Sequence, residues 1–511
     1  ISNINNNANS NNYGMFTFVN GGTIKNVNVT SSTTTGGTSA GILIGYAKNI
    51  VNLDNISLTG KLSGASNLGG IIGYAEGGLD TINISNVNVD ATINGTSNLG
   101  GAIGYIYNVS SGTIQFNNVI TTGSVTGTST SVGGLVGYSQ NVSTGNIYID
   151  NSGSSATVSG SDNVGGLVGY LYNQYTGIDR VYRSYFTGNV NAKGTSIGGI
   201  VGYQRGIYGN TAKTLVRECY STGKIVSTSS YVGGITGNML YSEIYDSYTT
   251  GAVSGADYVG SLIGYMNYSK ATNAYSMGKL TYTGGNVSAS VGKIDNMSNA
   301  GTNILYSSQT IGVVKTAFDS SSKPFSTNKK VWKLLKQETY TGYDFDSIWS
   351  IDENSSTAYL KNVVKPKDVE ESSYTYNKMD GTGTVDDPYQ IVDMEDFDDI
   401  RNEVQGNYKF VADVDGGNNS FSPLAESTVV FTGSIDGNGH TLSNVSVSGS
   451  QTNYGLITYC SNFVAKNLTL NNITVNGVAN VGLLCGYNVG GLNIDNVDIK
   501  SSTLKATSTS V

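Results

Sequence analysis

Between residues 12 and 310 the chain alternates apolar and polar positions in short runs, and the runs return at a regular interval. "IKNVNV" (24–29), "LDNISL" (53–58) and "ISNVNV" (84–89) each set this alternation around a central Asn. That is the period of a strand with one buried face, not of a helix. A seven-residue box marks the same interval. It reads "AGILIGY" (40–46), "LGGIIGY" (68–74), "LGGAIGY" (99–105), "VGGLVGY" (132–138 and 164–170) and "IGGIVGY" (197–203). Degenerate forms follow as "VGGITGN" (232–238), "VGSLIGY" (259–265) and "VGLLCGY" (481–487). From the first box to that at 259–265, successive copies start 27 to 35 residues apart.

The Asn marker keeps the same register through Asn26, Asn55, Asn86, Asn118 and Asn151, and its slot then passes to Ser184, Cys219, Ser247 and Ala274. Two markers with one period predict an all-β fold, a parallel, right-handed β-helix in which each period is one coil. Coils would stack about 4.8 Å apart, and about ten of them give a rod near 50 Å. A single coil cannot bury its apolar face, so stability requires the stack. Like side chains then lie above like, which favours Asn amides that bond along the stack and rings that stack, and disfavours charge. Glycines suit corners that need positive φ or a close neighbouring backbone.

These boxes resemble the GLUG motif, named for its G-L-aliphatic-G core and found in bacterial surface proteins, including adhesins and IgA-peptidase-type proteins. The resemblance covers about residues 40–265 and 481–487. It implies a repeat region exposed at a cell surface.

A longer repeat lies over the short one. Residues 1–58 align without a gap to 442–499, an offset of 441, with "NYGMFTF" (12–18) on "NYGLITY" (453–459) and "NLDNI" (52–56) on "NIDNV" (493–497). The chain therefore reads as one tandem unit and the start of the next. All four prolines and both tryptophans fall within 324–423, between the two units. The expected division is a solenoid over 1–325, a cap over 326–364 covering the last open coil, a linker over 365–380, an entry segment over 381–430 and a second solenoid over 431–511. Short helices are expected in "NKKVWKLLKQETY" (328–340) and after Asp393, which can serve as an N-cap.

Composition narrows the function. Only 13% of residues are charged, and the net charge is −8. Without basic runs, nucleic acid is a poor partner. No apolar stretch approaches the length of a membrane span. With three cysteines and no CxxC spacing, neither a zinc knot nor a disulfide scaffold is implied. Cys460 and Cys485 lie one coil apart and read as buried core thiols, with a facing pair as the alternative.

No candidate chemistry outweighs a structural reading. The recurring glycines lack the helix and the distal acid of a dinucleotide loop, and the terminal Lys of a phosphate loop. Glycan cleavage needs paired carboxylates, yet residues 91–149 hold no Asp, Glu, Lys or Arg. Asp150 and Asp162 are the residues such an enzyme would use. The acidic group Asp386, Asp387, Asp393, Glu395, Asp396, Asp398 and Asp399 suits a helix start. "DVDGGNN" (413–419) lacks the spacing of a calcium loop, and the lone His440 sits in a turn-like "DGNGHT". No catalytic residue, metal or cofactor is assigned. The candidate binding residues are the box tyrosines Tyr46, Tyr74, Tyr105, Tyr138, Tyr170, Tyr203 and Tyr265, which suit either a self-stacking ladder or contact with sugars. The expected protein is a non-enzymatic extracellular stalk or fibre at the cell surface, whose partners are other copies of itself or surface glycans.

Overall fold

A computed structural model describes the chain except residues 3, 8–9, 210–213, 297–300, 312–325, 330, 354, 367–378, 419, 426–428 and 509–511. It is nearly all β, a parallel β-solenoid of about 15 turns. The chain divides into two compact units, Ile1–Tyr374 and Thr375–Val511. Most of the expected linker lies outside the described residues.

The coil from Val132 to Asn163 shows how sequence makes a turn. Val132–Gly133 is a short strand in a nine-stranded parallel sheet to which each box of the first unit contributes, with Val287–Ser288 as its ninth strand. A tight corner at Gly134 and Leu135 then leads into Val136–Asn141, and Asn146–Asp150, Gly153–Ser154 and Thr157–Gly160 complete the circuit. Alternation sends Val132, Leu135, Val136, Ile147, Ile149 and Val158 into a fully buried interior. Register is fixed coil by coil: Tyr138 lies between Tyr105 and Tyr170, and Val132 between Leu99 and Val164.

The box glycines are there for space. A Cβ on Gly133 would sit 2.1 Å from the Val136 carbonyl oxygen, and one on Gly134 2.1 Å from that of Gly166. Neither residue has a positive φ. The left-handed residue is the one before each box: Asn67, Asn98, Ser131, Asn163 and Ser196 have φ of 51–63°. Asn tolerates this conformation because its short amide bonds locally.

The Asn markers form a second left-handed corner, with Asn26, Asn55, Asn86, Asn118 and Asn151 at φ of 49–58°. From there the expected slot is off by one residue. The corner continues through Arg183, Glu218, Asp246, Asn273 and Asn303, all at positive φ. Ser184, Cys219, Ser247 and Ala274 are instead the buried residues that follow it. Polar and charged side chains hold the corner, where Glu218 and Asp246 are buried, small ones follow it, and both columns keep one period.

The segment expected as the cap meets the last coil and also covers a flank of the stack. Residues 331–334 and 337–339 form only a short α-helix and a 3-10 turn, and Trp349–Ser350 pairs antiparallel with Tyr359–Leu360. Their aromatics cover the flank of the stack against Tyr220, Tyr248 and Tyr275. The last coil, Gly301–Tyr306, is met by Thr327–Asn328. The flank needs cover because its column changes from Ile120 and Gly153 to Tyr185, Tyr220, Tyr248 and Tyr275.

The second unit opens with the strand Tyr389–Ile391 and then helix Met394–Asp399, whose N-cap Asp393 accepts hydrogen bonds from the Glu395 and Asp396 amides. Parallel strands then stack up to Ile457–Asn471 and Cys485–Lys500. The register repeats that of the first unit: Ile457 pairs Cys485 as Phe16 pairs Ile44, and Tyr459 pairs Tyr487 as Phe18 pairs Tyr46. Here the thiol expectation fails, since Cys460 and Cys485 form a disulfide between successive coils. Their counterparts are Val19 and Ile44, interior positions on neighbouring coils, so the stack itself brings the two sulfurs together.

Candidate functional site: the tyrosine columns

Six of the seven box tyrosines form one outer ladder. Phe18, Tyr46, Tyr74, Tyr105, Tyr138, Tyr170 and Tyr203 stand in register on successive coils, with ring centroids 4.8–5.3 Å apart. The first rungs are tilted by 53–58°. The last four are nearly coplanar in orientation, at 5–9°. Each stacked ring covers its neighbour's face, so the surface receives ring edges and hydroxyls. Those hydroxyls find partners in the next outward column. Tyr46 donates to Glu76, Tyr105 donates to Gln140 at 2.5 Å, and Tyr170 accepts from Arg205 at 3.4 Å. Burial pushes the Tyr170 phenol up to about 12, although Arg205 pulls the other way.

The seventh, Tyr265, does not join the ladder. Asn238 stands in register between Tyr203 and Tyr265, so the column of rings is broken there. Tyr265 packs instead against Tyr231 at 5.2 Å and Tyr258 at 6.4 Å, and donates to Asp295 at 2.9 Å.

Around this break lies a feature that the box pattern did not reveal. Tyr231, Tyr241, Tyr258 and Tyr268 all have left-handed backbones, with φ of 60°, 48°, 51° and 45°. Tyr231 and Tyr258 follow Ser131, Asn163 and Ser196 in the corner before the box. Tyr241 and Tyr268 stand in a column continued by Asn296, also left-handed at φ 52°. A bulky residue in this conformation costs about 1–2 kcal/mol, and Ser or Asn makes the same corners elsewhere. The tyrosines stack in pairs, Tyr231 on Tyr258 and Tyr241 on Tyr268, each at 5.1 Å and 15°. The signal was visible as Tyr directly before "VGGITGN" and "VGSLIGY".

The Asn markers bond along the stack with two slips. Asn55 donates to Asn26 at 2.7 Å and Asn118 to Asn86 at 2.9 Å. Asn86 donates to Asp54, not Asn55, and Asn151 to Asn117, not Asn118. A second, interior amide column escaped the sequence reading. Asn108, Asn141 and Asn173 are buried in register, and each donates to a carbonyl four residues on. Asn141 also donates to Asp179 at 2.8 Å. Asp179 is wholly buried, its Oδ2 has no hydrogen-bond partner, and burial pushes its carboxyl up to about 8.

The carboxylates considered for catalysis are engaged in structure. Asp150 holds Arg180 in a two-pronged contact at 2.9 and 2.5 Å, and Arg180 lies 3.9 Å over the Tyr148 ring. Asp162 accepts from the Thr195 amide at 2.7 Å. His440 donates its amide to Gly437 within a turn. Among the described residues, no group of three or more His, Cys, Asp or Glu is placed to hold a metal ion. No described helix is long and apolar enough to cross a membrane.

Comparison with known proteins gives one partial relation. Over 132 residues the chain is 36% identical to a protein named halomucin from Haloquadratum walsbyi. The match covers 23% of this chain and about 1% of that protein's length. No family model matches the chain. No solved structure matches it.

Proposed function

We propose that this chain is a non-enzymatic, extracellular structural protein, a stalk or fibre-forming surface element built from GLUG-type coils and able to associate with other copies of itself. The observation that carries this reading is the coil-on-coil register within each unit, in which rings, amides and the candidate catalytic acids are engaged with neighbouring coils. The recurrence of the G-L-aliphatic-G box supports the GLUG comparison. A disulfide between successive coils supports an oxidising compartment, and partial similarity to a protein named as a mucin supports a surface setting. Self-association follows the same physics as the stack, because parallel strands with like columns above like can pair with strands of a further copy.

Electron microscopy of the purified chain over a range of concentrations tests this. Filaments that lengthen with concentration are expected, and dispersed monomers at every concentration would contradict it. The glycan-binding alternative through the outer ladder is weakened from Tyr105 to Tyr203 by the stacking itself, since rings that cover one another offer sugars no free face. Binding to a glycan array that is lost in Tyr138→Ala and Tyr170→Ala would reinstate it.

A further inference from the structure

We propose that the left-handed tyrosines Tyr231, Tyr258, Tyr241 and Tyr268 border a carbohydrate-binding trough, with the break in the outer ladder as its floor. The trough lies across the strands Thr236–Leu240 and Ile263–Asn267. Tyr231 and Tyr258, with Tyr265 beside them, form one border. Tyr241 and Tyr268 form the other, three residues beyond Asn238 and Tyr265, about 10 Å along an extended strand.

Three observations point to a ligand. The first is strain. Four bulky residues hold a backbone conformation that Ser and Asn adopt in neighbouring coils, and they do so in two consecutive coils. Strain of this kind collects where it serves function. The second is ring access. From Tyr105 to Tyr203 each face in the outer ladder is covered by the next ring, whereas Tyr203 meets Asn238 on its far side and Tyr265 meets Asn238 and Lys293 in register. Tyr268 is 46% exposed, and Tyr208, 74% exposed, stands edge-on to Tyr241 and Tyr268 at 5.7 and 6.1 Å. The third is the mixture of groups. Between the borders the floor holds Asn238, whose Nδ2 donates to Ser196 at 3.4 Å, Asn267, whose Oδ1 accepts from Asn296 at 3.1 Å, and one aliphatic side chain, Leu240.

That mixture selects the ligand class. A pyranose ring presents C–H faces to aromatic rings and hydroxyls to amides and phenols, and the trough alternates these same groups. A protein partner would ask for more aliphatic surface than Leu240. The nearby cations are turned to other groups: Lys293 lies 5.3 Å over Tyr258 and pairs with Asp295 at 3.1 Å, and Arg205, in register with Leu240, donates to the Tyr170 hydroxyl and lies 4.7 Å over the Tyr172 ring. The ligand is therefore a neutral pyranose oligosaccharide. This site does not depend on self-association, and it uses different residues from the outer ladder.

The full chain is screened on an array of neutral pyranose oligosaccharides, and hits are measured by affinity electrophoresis. Binding is expected for the unaltered chain and for Tyr138→Ala. The double variant Y241N/Y268N is expected to lose at least tenfold in affinity, while its melting temperature holds or rises because Asn relieves the left-handed strain. Y241F/Y268F keeps the ring faces and is expected to retain binding, which separates recognition from folding. No binding to any neutral glycan would overturn the proposal. So would full affinity in Y241N/Y268N, or loss of binding in Y241F/Y268F or in Tyr138→Ala.

Discussion

Two tyrosine ladders run along the same stack with the same spacing and opposite surroundings. Tyr105, Tyr138, Tyr170 and Tyr203 stand half-buried on the outer wall, 4.8–5.0 Å apart. Tyr220, Tyr248 and Tyr275 stand 5.0–5.3 Å apart and are almost wholly buried. The difference is the returning segment 340–364. Trp349 packs 6.0 Å from Tyr248, Tyr275 donates to the Ala358 carbonyl at 2.5 Å, and Tyr220 donates to that of Val364 at 2.7 Å. A coil-period tyrosine thus sets ring spacing, while a distant part of the chain decides whether the ring is wall or core.

The sharpest way to break this comparison is to remove one rung from each ladder. Tyr275→Ala is expected to cost the first unit about 4 kcal/mol, in the range for deleting a buried aromatic. Tyr138→Ala is expected to cost about 1–2 kcal/mol, because part of its surface already meets water. Urea denaturation measures both, and equal losses would erase the distinction.

The second unit offers a different staple for the same architecture, a disulfide where the first unit packs Val19 and Ile44. Closing its 25-residue loop constrains the unfolded chain by about 3.5 kcal/mol. Reduction is therefore expected to lower the stability of the second unit by about that amount and to leave the first unit's transition in place.

A third contrast lies between satisfied and unsatisfied buried groups. Asp179 titrates near 8 when folded and near 4 when unfolded. Between these values the folded state holds more protons, so stability falls as pH rises from 4 to 8, by up to about 1.4 kcal/mol per pH unit. Asp179→Asn should flatten that slope in melting experiments, and an unchanged slope would place the pH dependence elsewhere. The smallest expected effect has the opposite sign. The Tyr248 hydroxyl is buried without a hydrogen-bond partner, so Tyr248→Phe should stabilise the first unit by about 1 kcal/mol. A loss would mean that the hydroxyl is engaged.

The coils were legible because two short patterns share one period and apolar alternation assigns the inward face. Asp393 was legible as a helix cap because capping is local. The missed features each depend on something a period does not carry. Arg183 and Ser184 recur at the same interval, so only backbone conformation tells which one is the corner. Cys460 and Cys485 sit in interior columns, where a thiol suits packing as well as pairing until the coil-to-coil geometry is known. "SYTTG" and "VGGLVGY" both present a tyrosine, and nothing local separates the one that Trp349 will cover. Tyr231 and Tyr258 precede their boxes in plain view, but their strain exists only in the folded backbone.

X-ray diffraction from oriented filaments of the full chain tests the stacked, self-associating solenoid most directly. End-to-end joining of coils predicts a reflection near 4.8 Å along the filament axis. Filaments with that reflection perpendicular to the axis, or a chain that forms no filaments at all, would contradict it.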